Sequence, residues 1–336
     1  MRRWTTLPAG LPARSLLRHS VASGLLVLAL LSAPQASAAG SRTRALRDLP
    51  GAGVADEETT PRSSASSRLP PGGSVGQGTA RVTGGADAAR NQFPYMVALS
   101  HSSWFMECGG VLVHPRVVLT AAHCVDPRDI LQGNPPVTHA HIGAYTLPTV
   151  NVDVKEVINV LPHPLFDADS LDYDVALLIL DSPSRVQTVT IADESVDSEL
   201  QRLTEGRSNG GKLLVTMGFG VVDTASWRSA TVLQHADLNF VERSTCGARF
   251  ARTKTDITTR MICAQKPGKD SCMGDSGGPL VLYSRGDGPE QHLLVGIISF
   301  GSPTSCADPN FPGVYTNLSI MRNFILQVAA VIDQAT

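Results

Sequence analysis

The sequence predicts an all-β fold, a sandwich or a barrel, with one helix at its C-terminal end and a long leader in front. Three observations predict it. After residue 81, short runs rich in β-branched and aromatic residues recur, each cut off by Gly, Pro or Asp. Apolar residues at helical spacing appear only near the end, in Ile320–Ile332, where Phe324, Ile325, Val328 and Ile332 share a face. All six cysteines also lie after residue 81, as expected of a chain stapled by disulfides in an oxidising compartment.

The leader comes first. Arg2, Arg3, Arg14 and Arg18 precede the apolar run Val21–Leu31 and then Ala36-Ser37-Ala38. That charged, apolar, small-residue order describes a secretory signal peptide over residues 1–39, and the run is too short to span a bilayer. Residues 40–81 are rich in Ser, Pro, Gly and Thr, with too few large apolar side chains to offset the entropy of ordering, so a disordered segment is expected. Charge divides at the same point. Ten arginines against four acids give residues 1–81 a net +6, leaving 18 basic and 26 acidic residues, net −8, for 82–336. Phosphate backbones require a basic face, so nucleic acid is excluded as a partner. No later stretch reads as a membrane anchor, and the product is expected outside the cell.

The β-rich runs follow in order: Tyr95–Leu99, Val111–Val113, Val117–Thr120, Val152–Val160, Val175–Leu180, Leu213–Thr216, Val232–Phe240, Leu280–Tyr283, Leu293–Phe300 and Val314–Thr316. Six cysteines permit 15 pairings. Sequence order favours neighbours, Cys108 with Cys124, Cys246 with Cys263 and Cys272 with Cys306, and spacing alone leaves the choice open. Zinc is disfavoured because neither CxxC nor HExxH occurs.

One stretch fits no strand or helix: Gly268-Lys-Asp-Ser-Cys-Met-Gly-Asp-Ser-Gly-Gly-Pro279. Its glycines and proline break both periods, so it reads as a loop built around Asp270, Asp275 and Ser276. A serine hydroxyl is a poor nucleophile near neutral pH. It needs an adjacent base, and the base an orienting acid. Of nine histidines, His123 stands where a strand ends in a turn beside Cys124, in Val117-Val-Leu-Thr-Ala-Ala-His-Cys124. Asp174 directly precedes an apolar strand in Leu171-Asp-Tyr-Asp-Val-Ala-Leu-Leu178, which draws it inward, where a carboxylate persists only if paired. Asp167, Asp169 and Asp172 read as a solvated surface loop.

With TAAHC, DVALL and GDSGGP in that order, residues 82–336 resemble the trypsin and chymotrypsin family of serine endopeptidases. The resemblance implies two orthogonally packed six-stranded antiparallel β-barrels with a C-terminal helix, the active site between them, and the three neighbour disulfides. It implies His123, Asp174 and Ser276 as the catalytic triad, with the N–H groups of Gly274 and Ser276 as the oxyanion hole. Asp270 corresponds to the floor of a pocket for Arg or Lys, Gly301 and Gly313 to its walls, and Ser299 to a binder of the substrate backbone. Arg81-Val82 resembles an activation site, after whose cleavage the new amino group of Val82 pairs with Asp275. Residues 40–81 would then be an activation propeptide, released because no cysteine precedes residue 82.

The chain departs from the common pattern at Phe300, Met273, Thr216-Met-Gly-Phe-Gly220 and the loop Ser302–Ser305, which bear on subsite preferences. The loop after Gly143 lacks the acids a calcium site would need. His139 and His141 are expected to face solvent, and Asn317-Leu-Ser319 is a glycosylation sequon. The expected product is a monomer without cofactor, meeting protein or peptide substrates, an activating protease and protein inhibitors. The rival reading is a protease-shaped binding or inhibitor module without turnover.

Overall fold

The computed structural model describes residues 84–101, 106–128, 136–150, 152–204, 210–223, 226–253 and 255–335. The expected signal peptide and propeptide, with Arg81 and Val82, lie outside the described residues.

Six antiparallel strands close into a first barrel: β2 (Met96–Ser100), β3 (Met106–His114), β4 (Val117–Thr120), β5 (His139–Ile142), β6 (Asp153–Pro162) and β7 (Ala176–Leu180), in the spatial order β2-β3-β4-β7-β6-β5. A second ring is built from β9 (Lys212–Gly218), β12 (Gln234–Val241), β13 (Met261–Gln265), β16 (Gly313–Asn317), β15 (Leu293–Phe300) and β14 (Pro279–Ser284). It closes because β9 pairs with both β12 and β14. The short strand β1 (Ala86–Asp87) adds to β12, β8 (Thr190–Ile191) runs parallel to β15, and β10 (Val221–Asp223) forms a hairpin with β11 (Arg228–Ser229). Closure leaves neither barrel an open edge for another chain to pair with.

Strands β2, β4 and β7 are buried along their whole length, which is why MVAL, VVL and ALLIL are continuous apolar runs and not alternations. The core that holds them is shared. Val118, Leu177 and Leu178 belong to the same apolar cluster as Val215, Leu294 and Ile297 of the second barrel. The C-terminal helix, Leu318–Ala335, adds Leu318, Met321, Ile325, Val328 and Ile332 to that cluster. Five such side chains, each contributing roughly 1.5–3 kcal/mol on burial, outweigh the poor stability of an isolated helix of this length.

The structure differs from the sequence reading in several places. Two short helices, α1 (Val196–Arg202) and α2 (Arg243–Phe250), precede the C-terminal helix α3. Each buries one i,i+4 pair, Val196 with Leu200 and Cys246 with Phe250, too little to show a period. His141 does not face solvent. It is buried, with its two ring nitrogens on the hydroxyls of Ser100 (3.0 Å) and Thr149 (2.9 Å), and burial lowers its pKa. Two hydroxyl partners are what let a ring remain inside. Asp172 is likewise half-buried and bonded to Arg260 and Thr258. The sequon residue Asn317 is buried, its side-chain oxygen accepting the N–H (3.1 Å) and hydroxyl (2.8 Å) of Ser319. The three disulfides join sequence neighbours: Cys108–Cys124, Cys246–Cys263 and Cys272–Cys306.

Candidate active site

Strand register brings the first two candidates together. Strands β4 and β7 pair antiparallel with Thr120 opposite Ala176, so His123, three residues past the end of β4, meets Asp174, two residues before β7. His123 sits in the 3-10 turn Ala122–Val125, fastened to β3 by the Cys108–Cys124 disulfide. The sulfurs of Cys108 and Cys124 lie close to the His123 ring, but both are spent in the disulfide and no metal site results.

Asp174 is fully buried and its carboxylate is well supplied with donors. Oδ1 accepts the His123 backbone N–H at 2.9 Å, and Oδ2 faces His123 Nδ1 at 2.7 Å and accepts the Ser299 hydroxyl at 2.5 Å. The Asp174 carbonyl accepts the Thr316 hydroxyl at 2.6 Å. A carboxylate only accepts, so Nδ1 carries the proton and Nε2 presents a lone pair. Ser299, expected to serve substrate backbone, thus also spends its hydroxyl on the acid.

Ser276 reaches the same place from the second barrel. Its carbonyl accepts the N–H of Gly109 at 2.7 Å. Gly109 adjoins Cys108, whose disulfide partner adjoins His123. Gly277 shows how closely the loops meet: with φ +78°, a β-carbon there would stand 2.2 Å from Thr120 Oγ1 and 2.5 Å from the Gly109 carbonyl oxygen. The turn is completed by Asp275 N–H on the Cys272 carbonyl and Gly278 N–H on the Asp275 carbonyl, both 2.9 Å, and Gly274 adopts φ +89°. Glycine is the residue that holds such a conformation without strain.

Asp275 is buried, and its two oxygens accept the N–H groups of Gly220 (2.7 Å) and Cys272 (2.8 Å). Burial pushes its pKa up to about 6. Gly218 and Gly220 leave room for this carboxylate. Their role was missed in Thr216–Gly220, where the Gly-x-Gly spacing was the available signal.

Asp270 is 5% exposed. Its Oδ2 accepts the Ala307 N–H at 2.9 Å, Ser271 N–H adds a second bond, and burial raises its pKa to about 6. Among the described residues no cation lies within 4 Å of it. The Cys272–Cys306 disulfide ties the chain carrying Asp270 to the loop carrying Ala307. A β-carbon on Gly313 would stand 3.0 Å from Asp270 Oδ1, and one on Gly301 would meet nothing within 4 Å. The two glycines therefore sit differently, one against the carboxylate and one over open space. Hollows of about 380 and 600 Å³ lie elsewhere on the second barrel, near Phe240 and Glu242, and include none of these residues.

Residues 82–325 match the trypsin family. Hypodermin-B of Hypoderma lineatum is 32% identical over 263 residues, 77% of this chain and 91% of that protein. Trypsin iota of Drosophila melanogaster is 30% identical over 256 residues, 75% and 90% of the two chains. Melanization protease 1 of the same fly is 34% identical over 269 residues, 73% of this chain and 64% of its own length.

Proposed function

The chain belongs to the trypsin family and is a serine-type endopeptidase, and we propose that it is a secreted zymogen which, once cut after Arg81, cleaves peptide bonds following Arg or Lys. One observation carries the specificity: Asp270 is a nearly inaccessible carboxylate with backbone N–H partners and, among the described residues, no cation beside it. A charge so placed is costly unless a cation meets it. The guanidinium or ammonium of a substrate residue, passing over Gly301 and Gly313, would supply that cation.

In the chemistry, Ser276 Oγ attacks the scissile carbonyl while His123 Nε2 takes its proton. Asp174 holds the imidazole with Nδ1 protonated and stabilises the imidazolium that forms. His123 then delivers the proton to the leaving amine, which departs as the acyl-enzyme forms, and water repeats the sequence to release the acid. The N–H groups of Gly274 and Ser276 face the developing oxyanion, where loss of one donor costs on the order of 10²–10³ in rate.

The zymogen reading is supported by Asp275. A wholly buried carboxylate with two N–H bonds and a pKa raised to about 6 is poised for an ammonium, and the new α-amino group of Val82 is the candidate. Gly84 sits so close to Gly268 that a β-carbon on it would stand 2.0 Å from the Gly268 carbonyl oxygen. Gly84, the third residue after the cut, is thus seated beside the loop leading to Asp270. Secretion is supported by the three disulfides, and among the described residues no helix is long and apolar enough to cross a membrane.

The test is to express the full chain in a secreting host, treat it with a trypsin-like enzyme, and supply an Arg ester with a serine-directed phosphonylating reagent. Turnover with label on Ser276, absent in Ser276→Ala and in Arg81→Gln, is the expected result. Full activity in Arg81→Gln would remove the zymogen reading, and labelling without turnover would favour a binding module.

A further inference from the structure

The segment leading to Asp174 is strained. Leu171 (φ +54°) and Tyr173 (φ +55°) are both non-glycine residues in the left-handed region, on either side of Asp172. Such conformations persist only where the surroundings enforce them. The other barrel grips this segment at Asp172 and Tyr173. Arg260, which immediately precedes β13, donates from Nε to Asp172 Oδ1 at 3.1 Å and from Nη2 to Oδ2, and Thr258 donates its hydroxyl to Oδ1 at 3.0 Å. The Arg260 guanidinium also lies 4.9 Å from the centre of the Tyr173 ring. Tyr173 is stacked on His163 at 4.6 Å and 15°, and His163 meets Phe324 of α3 edge-on.

The same part of the second barrel holds Asp174 itself. The Arg260 carbonyl accepts the N–H of Asn317, and the neighbouring residue Thr316, opposite Met261 in the β13–β16 ladder, bonds the Asp174 carbonyl. Thus Asp172, Tyr173 and Asp174 are gripped at successive positions by groups of one two-stranded ribbon. A lone exposed ion pair contributes little. A two-point Arg–carboxylate fork fixes direction as well as distance, and this one is partly covered, with side-chain exposures of 28% and 15%.

We propose that Arg260 is a positioning residue: through its fork on Asp172 and its stacking on Tyr173 it sets the placement of Asp174 against His123, and with it the rate of the chemical step. The inference rests on the proposed roles of His123 and Asp174. Among the described residues Asp270 bonds to the N–H groups of Ala307 and Ser271 and to no member of this clamp, so kcat should change and KM should not. A misplacement of about 1 Å remote from the reacting atoms can cost on the order of 10²-fold, and a part of that is expected here.

The experiment uses the activated full chain, with active sites titrated by the phosphonylating reagent so that only folded enzyme is counted. Arg260→Met, which keeps the apolar stem, and Asp172→Asn should each lower kcat on an Arg ester by roughly ten- to a hundredfold, with KM within about twofold. The double variant should lose no more than Arg260→Met alone, because Asp172→Asn removes a contact that Arg260→Met has already removed. Arg260→Lys should recover part of the loss, and Thr258→Val, the mildest change, should give a small loss in kcat alone. In parallel, the low-field proton resonance of His123 Nδ1–H, which needs no turnover, should broaden or move in Arg260→Met. A kcat within twofold of wild type, a loss confined to KM, additive single losses or an unaltered resonance would each overturn the inference. A wild-type chain that shows the resonance but no turnover would instead overturn the proposed function, leaving the clamp to be judged on the resonance.

Discussion

Replacing Asp270 by Ser removes the charge at the base of the proposed pocket and leaves its frame in place. The side chain makes no ion pair among the described residues, and its partners are the N–H groups of Ala307 and Ser271, which a hydroxyl or a bound water can engage. The stability of the domain should therefore change little. Binding should change greatly. A cation about 4 Å from the carboxylate gains roughly 4 kcal/mol at an effective dielectric constant near 20, and removing one partner of a buried pair costs about 3–5 kcal/mol. At about 1.4 kcal/mol per factor of ten, kcat/KM for Arg and Lys substrates should fall by roughly two to three and a half orders of magnitude. Substrates with a neutral residue before the cut should keep or gain activity. The assay is a matched pair of peptide amides differing only at that residue, measured with wild type and Asp270→Ser at pH 8. The small phosphonylating reagent serves as a control, because the His123–Asp174 bond is untouched. An unchanged ratio of Arg to neutral cleavage would refute the assignment of Asp270, and a collapse of both substrates together would show that the residue supports the active site and not its selectivity.

Two further outcomes follow from the same geometry. Because burial raises the Asp270 pKa to about 6, the carboxylate of the free enzyme gains a proton as pH falls through that value, and only the ionised form attracts a cation. The ratio of kcat/KM for Arg over neutral substrates should thus hold above about pH 7 and fall toward tenfold per unit well below 6, while any effect on the chemistry common to both substrates cancels; a ratio flat from pH 8 to 5 would contradict this. Among the glycines, Gly301→Ala places its β-carbon in open space and should melt near wild type while weakening Arg and Lys cleavage. Gly277→Ala meets Thr120 and Gly109 at impossible distances with φ +78° and should cost at least about 2–3 kcal/mol, roughly 5–10 °C in Tm for a domain of this size; the reverse order in a melting series would refute the account of both positions.

Legibility in the sequence followed the range of each interaction. The strands with three or more apolar residues in a row were readable because burial on both sides leaves a local pattern, and so was the amphipathic face of α3. Helices α1 and α2 bury one pair each and left no period to find. His123, Asp174 and Ser276 stood out because their constraints are local: a cysteine, an apolar strand, a run of glycines. Their helpers did not. Ser299 lies 125 residues from Asp174 and Arg260 lies 88 from Asp172, and no short window contains both members. His141 was misread for a related reason, since its alternation with His139 described a strand face but not the Ser100 and Thr149 hydroxyls waiting on it.

Apolar burial in the shared core supplies most of the attraction, but it has no direction and tolerates small slides of one barrel on the other. The proposed chemistry does not, because a displacement of about 1 Å already costs much of the rate. Around the candidate site, direction comes from bonds that cross there, among them Gly109 to Ser276, Ser299 and Thr316 to Asp174, and Arg260 to Asp172. Each of these attaches within two residues of a member of the proposed triad or to the member itself. Substitutions in the shared core should accordingly appear first as lost stability, and substitutions in these cross-barrel bonds as lost kcat in a domain that still melts normally.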